Sequence, residues 1–370
     1  SRPVQSLNRR AMELSRTIRV ITDGTARHLH PGAQLYVSVG GQVVTDAAFG
    51  DAAPGVPMTN DHLCAWMSAG KPIAALAIAQ LVQRGALALD DRVERYIPDF
   101  GRHGKAPITI RHILTHTAGF RGPLNNFLPG SWEEILGKVY ELKLEPGWIP
   151  GDKAGYHVGS SWFVLGELIR RLDGRSFDRY VREQVFLPLD QPDAWIGMPA
   201  DRLTDYAQRL APTVIREPHL HLGKTPWNDA EGLVVPRPGG NARGPIRSLA
   251  KVYEALVNPP DEQWRAAGEF ARRHRRGMFD HTFKCILDFG LGFLIDSKQY
   301  AGEHPYGYGK HASVETFGHS GNQSSCAFCD PAHRLVVAWV CTGMPGERAH
   351  DERARAINAA IYEDLGLIRS

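Results

Sequence analysis

The alternation of apolar and polar positions predicts the main elements of the chain. Residues 34–39 and 42–44 read as two extended runs around a Gly-Gly pair, which predicts a β-hairpin. Residues 73–84 are apolar on nearly every side and stop at Gly85, as expected for a buried helix. Residues 161–172 are amphipathic and predict a helix that packs against a core.

The rest of the pattern predicts helices in the middle of the chain and strands toward its end. Helices are expected at 108–114, with Thr109 as cap, at 176–187 before Pro188, and at 350–365. Strands are expected at 289–296, 315–319, 325–330 and 335–342.

This order of elements indicates an α/β (α+β) fold, with one antiparallel sheet built from both ends of the chain and flanked by helices. We expect an α/β sheet domain formed by residues 1–90 and 285–370. Residues 91–284 are expected to form a mainly helical inserted domain, with the active site between the two.

Composition narrows the class of protein. The 370 residues are 43% hydrophobic and 22% charged, which is ordinary for a globular protein, and the formal charge of +3 gives no reason to expect nucleic acid as a partner. The longest apolar run, 73–82, is too short to cross a membrane. No signal peptide is visible, so a cytoplasmic location is expected, although a leader already removed would leave no trace.

The five cysteines are expected to be structural. An odd number argues against a disulfide scaffold, and Cys326 and Cys329 lie three apart on a predicted strand, so they should face opposite sides of the sheet. No second pair of ligands at zinc-site spacing accompanies them. His112 and His116, at i and i+4 of a predicted helix, also lack a third ligand, and neither a metal nor an organic cofactor is expected.

The sequence Ser68-Ala69-Gly70-Lys71 places a hydroxyl and an amine three residues apart where an apolar helix begins. Residues at this spacing share one helix face. A serine hydroxyl becomes nucleophilic when a neighbour takes its proton, and a lysine beside so apolar a helix is expected to be buried, which favours its neutral form.

Several segments resemble the penicillin-recognising serine enzymes, which include class C β-lactamases, DD-peptidases and β-lactamase-like carboxylesterases. The similarity is carried in order by WMSAGKPIAALAIAQLVQRG, ITIRHILTHTAGF, EPGWIPGDKAGYHVGSSWFVLGELIRR and FGHSGNQSSCAFCDP. It implies the β-lactamase/transpeptidase-like fold, with Ser68 as the nucleophile that accepts the acyl group and Lys71 as its base.

The resemblance assigns the second family motif to Tyr156, expected to relay protons between Ser68, Lys71 and the leaving group. The family usually has asparagine two residues later, where this chain has Val158. Because valine cannot hydrogen-bond through its side chain, amide and β-lactam substrates are disfavoured. His157 and Val158 are expected to line the substrate site, and the Tyr-His form resembles the esterase-like branch.

The third motif, Lys-Thr-Gly in β-lactamases, is His319-Ser320-Gly321 here. A histidine is mostly neutral near pH 7, so it attracts a substrate carboxylate less than lysine does. Gly321 lets substrate approach the strand closely. The family pattern assigns the oxyanion hole to the backbone N–H groups of Ser68 and Asn322.

Three further features are less specific. Trp148 and Trp227 lie in loops rich in proline and glycine and are expected to line a substrate cleft. The basic run 272–276 is expected to be a solvated face.

Together these observations predict a serine acyl-transfer enzyme that acts on a small-molecule ester or amide. A carboxylesterase-type hydrolase is favoured. An acyltransferase that uses an amine or alcohol acceptor is the first alternative, and a DD-peptidase, a β-lactamase or a penicillin-binding sensor without turnover is the second. No nucleic acid or membrane partner is expected.

Overall fold

The computed structural model describes residues 13–122, 128–216, 220–221, 228–301 and 306–368. The helices are α1 (Ser15–Ala26), α2 (Lys71–Gln83), α3 (Ile110–Leu114), α4 (Trp132–Glu141), α5 (Ser160–Asp173), α6 (Phe177–Val181), α7 (Leu203–Tyr206), α8 (Ala230–Val234), α9 (Ile246–Val257), α10 (Glu262–Ala267), α11 (Lys298–Ala301) and α12 (Glu347–Asp364).

The strands occur singly or in runs between these helices. They are β1 (Gly32–Val39), β2 (Gln42–Ala53), β3 (Val56–Pro57), β4 (Leu63–Ala65), β5 (Trp195–Ile196), β6 (Leu210–Ala211), β7 (Val214–Arg216), β8 (Leu220–His221), β9 (Ala242–Gly244), β10 (Phe279–Asp280), β11 (Cys285–Ile286), β12 (Asp288–Phe289), β13 (Leu294–Ile295), β14 (Phe317–Gly321), β15 (Ser325–Asp330), β16 (Leu335–Cys341) and β17 (Gly343–Met344).

One eight-stranded sheet joins the two ends of the chain. Its spatial order is β12, β13, β14, β15, β16, β1, β2 and β3. Strand β1 pairs antiparallel with β16, so that Tyr36 lies opposite Ala338. The predicted α/β sheet built from both termini is therefore confirmed, whereas the domain boundaries at residues 90 and 285 stay a prediction.

The two faces of the sheet bury separate cores, because successive strand residues point to opposite sides. On β16, Val336 and Val340 belong to the core beneath α2, α5 and α9, whereas Val337 and Trp339 belong to the core beneath α1 and α12. The same alternation places Cys326 in the second core and Cys329 in the first, so these two thiols lie on opposite faces as predicted.

Helix α2 is the central helix of the first core. All residues from Lys71 to Leu81 are buried, and Pro72 sits in its first turn, where a missing N–H costs no hydrogen bond. This burial confirms the helix predicted at 73–84. Of the described helices, none is long and apolar enough to be a candidate for spanning a membrane.

The strand predicted at 289–296 is wrong in detail. The chain instead forms the short antiparallel pair β12 and β13, with a turn between them. Gly290 and Gly292 explain the break: Gly292 has φ of +82°, and an added Cβ at Gly292 would collide with Ala75 of α2. A side chain at this position would push the hairpin away from the helix.

The solvated face predicted for the basic run 272–276 is also wrong for two of its members. Arg275 is buried and pairs with Asp280 at 3.0 Å, and Arg273 pairs with Asp288 at 2.8 Å. Their partners come from the following hairpins, β10–β11 and β12–β13. The run therefore anchors these hairpins instead of facing solvent throughout.

The buried Arg275–Asp280 pair yields a stability prediction. Changing Asp280→Asn leaves the Arg275 guanidinium buried without its counter-charge, which should lower the free energy of unfolding by about 3 kcal/mol. Urea denaturation followed by circular dichroism measures this loss.

The matched control is Glu262→Gln, which breaks an ion pair with Arg265 whose side chains are 68% and 70% exposed. Its cost should stay below about 1 kcal/mol because solvent screens the pair. Equal losses of unfolding free energy in the two variants would contradict the larger contribution expected of the buried Arg275–Asp280 pair.

Candidate active site

Ser68 lies in a tight turn, Met67–Gly70, that leads directly into α2. Met67 has φ of +51°, a left-handed conformation that non-glycine residues rarely adopt. The residue before it, Trp66, is held by bonds from its N–H to Ala242 O and from Ser325 Oγ to its carbonyl. These contacts fix the start of the turn, so Ser68 is presented on a rigid element.

Lys71 is completely buried, and its amine has three polar neighbours. Nζ lies 3.0 Å from Ser68 Oγ and 2.7 Å from each of the carbonyl oxygens of Val158 and Gly239. Burial lowers the pKa of Lys71 well below its usual value. A neutral amine has two N–H donors and one lone pair, which match the two carbonyls and the serine hydroxyl.

Tyr156 stands over this pair from the loop before α5. Its ring centre lies 5.1 Å from Lys71 Nζ, and its hydroxyl lies near the Ser68 side chain, which partly offsets the rise in the Tyr156 pKa. Its N–H donates to Asp280 Oδ1 at 3.1 Å, and its carbonyl accepts from Thr282 Oγ1. Burial raises the pKa of Tyr156, so the hydroxyl keeps its proton at neutral pH.

His319 lies on β14, with its ring centre 5.9 Å from that of Tyr156. Burial, and to a smaller extent the nearby Lys71, lowers the pKa of His319 to about 3. The ring is therefore neutral. Its Nδ1 is 2.7 Å from Ser320 O, which can only accept, so Nδ1 carries the proton and Nε2 a lone pair. The third motif thus brings no positive charge to the site.

The end of β14 packs directly against the turn that carries Ser68. A Cβ on Gly321 would overlap Trp66 O and Ser325 Oγ and approach Met67, so glycine is needed for this contact. Asn322 follows in the turn, whose closing bond runs from Ser324 N to Gly321 O. Because Ser68 lies in the first turn of its helical segment, its N–H has no intrahelical acceptor.

The remaining predicted site residues have different surroundings. The backbone carbonyl of Val158 bonds Lys71, as described above, but both ring nitrogens of His157 face backbone atoms: Phe120 N and Gly155 O. Trp148 donates to Thr117 O. The structure therefore gives His157 and Trp148 backbone partners that hold loops in place, and Trp227 lies outside the described residues.

His112 and His116 do not face each other, because α3 ends at Leu114 and His116 has φ of +56°. His112 completes the cap of α3 predicted at Thr109. His116 stacks on Trp162 and lies beside the Tyr156 ring, at 4.7 and 4.5 Å between ring centres. In the described part of the chain, no three His, Cys, Asp or Glu residues are grouped as a metal would require.

Sequence reasoning did not single out two contributors to this geometry. Gly239 supplies a carbonyl to Lys71, and a Cβ there would lie 3.2 Å from Nζ. Arg353, buried on α12, donates to Gln323 O in the turn of Asn322 at 2.8 Å. The Gly-Gly pair at 239–240 is the one sequence signal for the first, and nothing in the sequence signals the second.

Comparison with known proteins identifies this arrangement. A family model described as Beta-lactamase matches residues 17–361. The esterase/beta-lactamase LipL of Mycobacterium tuberculosis is 26% identical over 348 residues, which cover 84% of this chain and 76% of LipL. The acyltransferase calJ of Penicillium decumbens is 26% identical over 221 residues, which cover 52% of this chain and 50% of calJ.

A solved structure agrees with this assignment across the whole fold. The crystal structure of a penicillin-binding protein homologue from Caulobacter crescentus superimposes with a TM-score of 0.77 at 28% identity, covering 95% of this chain and 97% of that one. The family model spans nearly the whole chain, and the predicted α/β fold of the β-lactamase/transpeptidase type is confirmed. The chain belongs to the beta-lactamase family.

Proposed function

We propose that this protein is a serine acyl-transfer enzyme of the carboxylesterase type, which forms an acyl-Ser68 intermediate from a small-molecule ester and releases the acyl group to water. The observation that carries the proposal is the environment of Lys71. Its neutral amine donates to two carbonyls and directs its lone pair at Ser68 Oγ, 3.0 Å away.

The reaction begins with proton transfer. Ser68 Oγ attacks the ester carbonyl carbon as its proton passes to Lys71 Nζ. The backbone N–H groups of Ser68 and Asn322 stabilise the negative oxygen of the tetrahedral intermediate. Tyr156, which lies beside Ser68 and Lys71, delivers the proton to the departing alcohol.

Water then hydrolyses the acyl-enzyme, and the proton transfers run in the opposite direction. It gives a proton to the Tyr156–Lys71 pair as it attacks the acyl carbon, a second oxyanion forms, and Ser68 Oγ departs with a proton. No cofactor enters any step.

Esters are favoured over β-lactams for two reasons. The Val158 side chain offers no amide to hold the acylamide group of a β-lactam or peptide. The neutral ring of His319 replaces the lysine that attracts a substrate carboxylate. LipL carries both activities in its name, so the family relation alone does not decide between them.

An acyltransferase is the second candidate. It requires the same residues up to acyl-Ser68 and differs only in whether an alcohol or amine attacks in place of water. The similarity to the acyltransferase calJ favours keeping this candidate.

Removing the nucleophile tests the central step. Ser68→Ala should lower hydrolysis of p-nitrophenyl acetate by more than about 10³-fold, because no other group can form the acyl-enzyme. Mass spectrometry of the wild-type protein after mixing with the ester should show an acetyl group on Ser68.

The control variant is Ser176→Ala, which removes an exposed hydroxyl that makes no capping bond at the start of α6. It should keep wild-type activity, and both variants should melt at the wild-type temperature. Undiminished turnover by Ser68→Ala would overturn the proposal.

The lowered pKa of Lys71 predicts the pH dependence. Lys71 is the base in its neutral form, so kcat/KM should rise with pH and level off well below the ordinary lysine pKa of about 10.4. Lys71→Arg should lose about 10²–10⁴-fold, because a guanidinium keeps its proton at every accessible pH. An activity that climbs until pH 10 would contradict a neutral Lys71.

The pH dependence of folding stability gives an independent measure of the protonation state of Lys71. Between the folded pKa of Lys71 and about 10.4, the unfolded wild-type chain binds one proton more than the folded chain, so wild-type stability rises with pH there. Relative to Lys71→Met, the gain should be about 1.4 kcal/mol per pH unit in this window. If the difference in unfolding free energy between wild type and Lys71→Met did not change with pH, Lys71 would keep its proton in the folded protein.

Substrate preference is tested with a chromogenic cephalosporin. Its kcat/KM should be at least about 100-fold below that for p-nitrophenyl acetate, because Val158 and the neutral His319 offer no side-chain partner for its amide and carboxylate. Comparable values for the two substrates would show that Val158 and His319 do not exclude β-lactams.

A further inference from the structure

A row of stacked rings leads outward from the catalytic tyrosine. The ring centre of Phe283 lies 4.5 Å from that of Tyr156, with the ring planes 30° apart. Tyr306 continues the row, 4.2 Å from Phe283. Tyr156 is buried, whereas Phe283 and Tyr306 are half-buried. The row therefore connects the surroundings of Ser68 with the protein surface.

One carboxylate holds the first two rings in place. Asp280 Oδ1 accepts from the N–H of Tyr156 at 3.1 Å and from the N–H of Phe283 at 3.0 Å. Phe283 lies in the turn between β10 and β11, which Arg275 anchors through the same Asp280 side chain. The position of Phe283 relative to Tyr156 is thus fixed by the scaffold.

The position of the Phe283 and Tyr306 rings relates them to the leaving alcohol of the substrate. In the proposed reaction Tyr156 delivers a proton to the oxygen of the leaving alcohol, so the body of that alcohol must lie beside Tyr156. His116 lies equally close to the Tyr156 ring but is fully buried. Phe283 and Tyr306 are half-buried, so these two rings are the ones that a bound alcohol can reach. An acyl acceptor that replaces water approaches along the path by which the alcohol leaves, since the two steps are the reverse of each other.

We propose that Phe283 and Tyr306 form the binding surface for the alcohol part of the ester, and that acyl-Ser68 is transferred to aromatic alcohols in preference to small aliphatic ones. The inference rests on the proposed acyl-Ser68 chemistry and names its acceptor class. In the transfer, the bond from the acyl carbon to Ser68 Oγ breaks, the bond to the alcohol oxygen forms, and the alcohol proton passes through Tyr156 and Lys71 to Ser68 Oγ.

The test uses vinyl acetate as the acyl donor, because its leaving group is small and leaves the same acetyl-Ser68 with every acceptor. Methanol and benzyl alcohol are supplied at equal concentrations, and the acetate esters are quantified against free acetate. Wild-type protein should transfer to benzyl alcohol at least about fivefold better than to methanol, the factor expected for one aromatic contact.

Variants of the hairpin locate the effect. Phe283→Leu keeps an apolar side chain of similar volume and should reduce the ratio of benzyl transfer to methyl transfer about fivefold. Phe283→Tyr keeps the ring and should keep the preference. The matched control is Phe279→Leu, which alters an exposed phenylalanine of the same hairpin that contacts His281.

The outcomes separate the two proposals. If vinyl acetate leaves no acetyl group on Ser68, the acyl-transfer function itself is wrong. If acetyl-Ser68 forms and turns over but benzyl alcohol has no advantage over methanol, the acceptor assignment alone is wrong. An advantage that survives Phe283→Leu, or that Phe279→Leu removes equally, also overturns it.

Discussion

The chemistry of this site depends on one amine that the fold keeps out of water. Lys71 opens a helix that is apolar on all sides, so solvent does not reach its ammonium form. The carbonyls of Val158 and Gly239, which approach from two separate loops, occupy the two N–H groups of the neutral form. Burial therefore lowers the pKa of Lys71, and folding stability is reduced at any pH where the unfolded chain would hold a proton that the folded chain has released.

The turn that contains Asn322 and Gln323 shows how the scaffold holds backbone strain next to the site. Gln323 has φ of +48°, an uncommon conformation for a residue with a side chain. Arg353 donates to its carbonyl and also to the Nδ1 atoms of His30 and His350, whose pKa values are lowered to about 3 by burial and by the guanidinium. Both imidazoles stay neutral, so they accept from Arg353 and do not repel it.

Much of the fold was accessible from sequence because local patterns determine it. The alternation in β1, the all-apolar helix α2 and the cap at Thr109 each follow from residues within one element. The prediction of a strand at 289–296 was wrong because Gly292, which breaks it, is required by contact with α2, a distant segment, and a Cβ on Gly290 would collide with the backbone of Phe270. The prediction of a solvated face at 272–276 was wrong because the partners of Arg273 and Arg275 lie in later hairpins.

The candidate site also combines features that are visible in the local sequence with features that depend on distant segments. Ser68, Lys71, Tyr156 and His319 are visible as spaced residue types, and the structure brings their side chains together. The carbonyl of Gly239 and the buried guanidinium of Arg353 were not predicted. A carbonyl has no residue signature, and Arg353 acts on a turn 30 residues away. The spacing of motifs thus predicts which side chains meet, but not which main-chain atoms and distant side chains hold them.

Main-chain atoms also explain how the site departs from the family motif without losing its base. Valine at position 158 removes the side-chain amide that usually follows the tyrosine, yet its carbonyl still bonds Lys71 at 2.7 Å. The oxyanion donors assigned to Ser68 and Asn322 are likewise N–H groups that every residue except proline has. In the proposed reaction, proton transfer depends on backbone positions, whereas substrate selection is assigned to the side chains of Val158, His319 and Phe283. Under this proposal, substrate preference can change while the proton-transfer geometry stays the same.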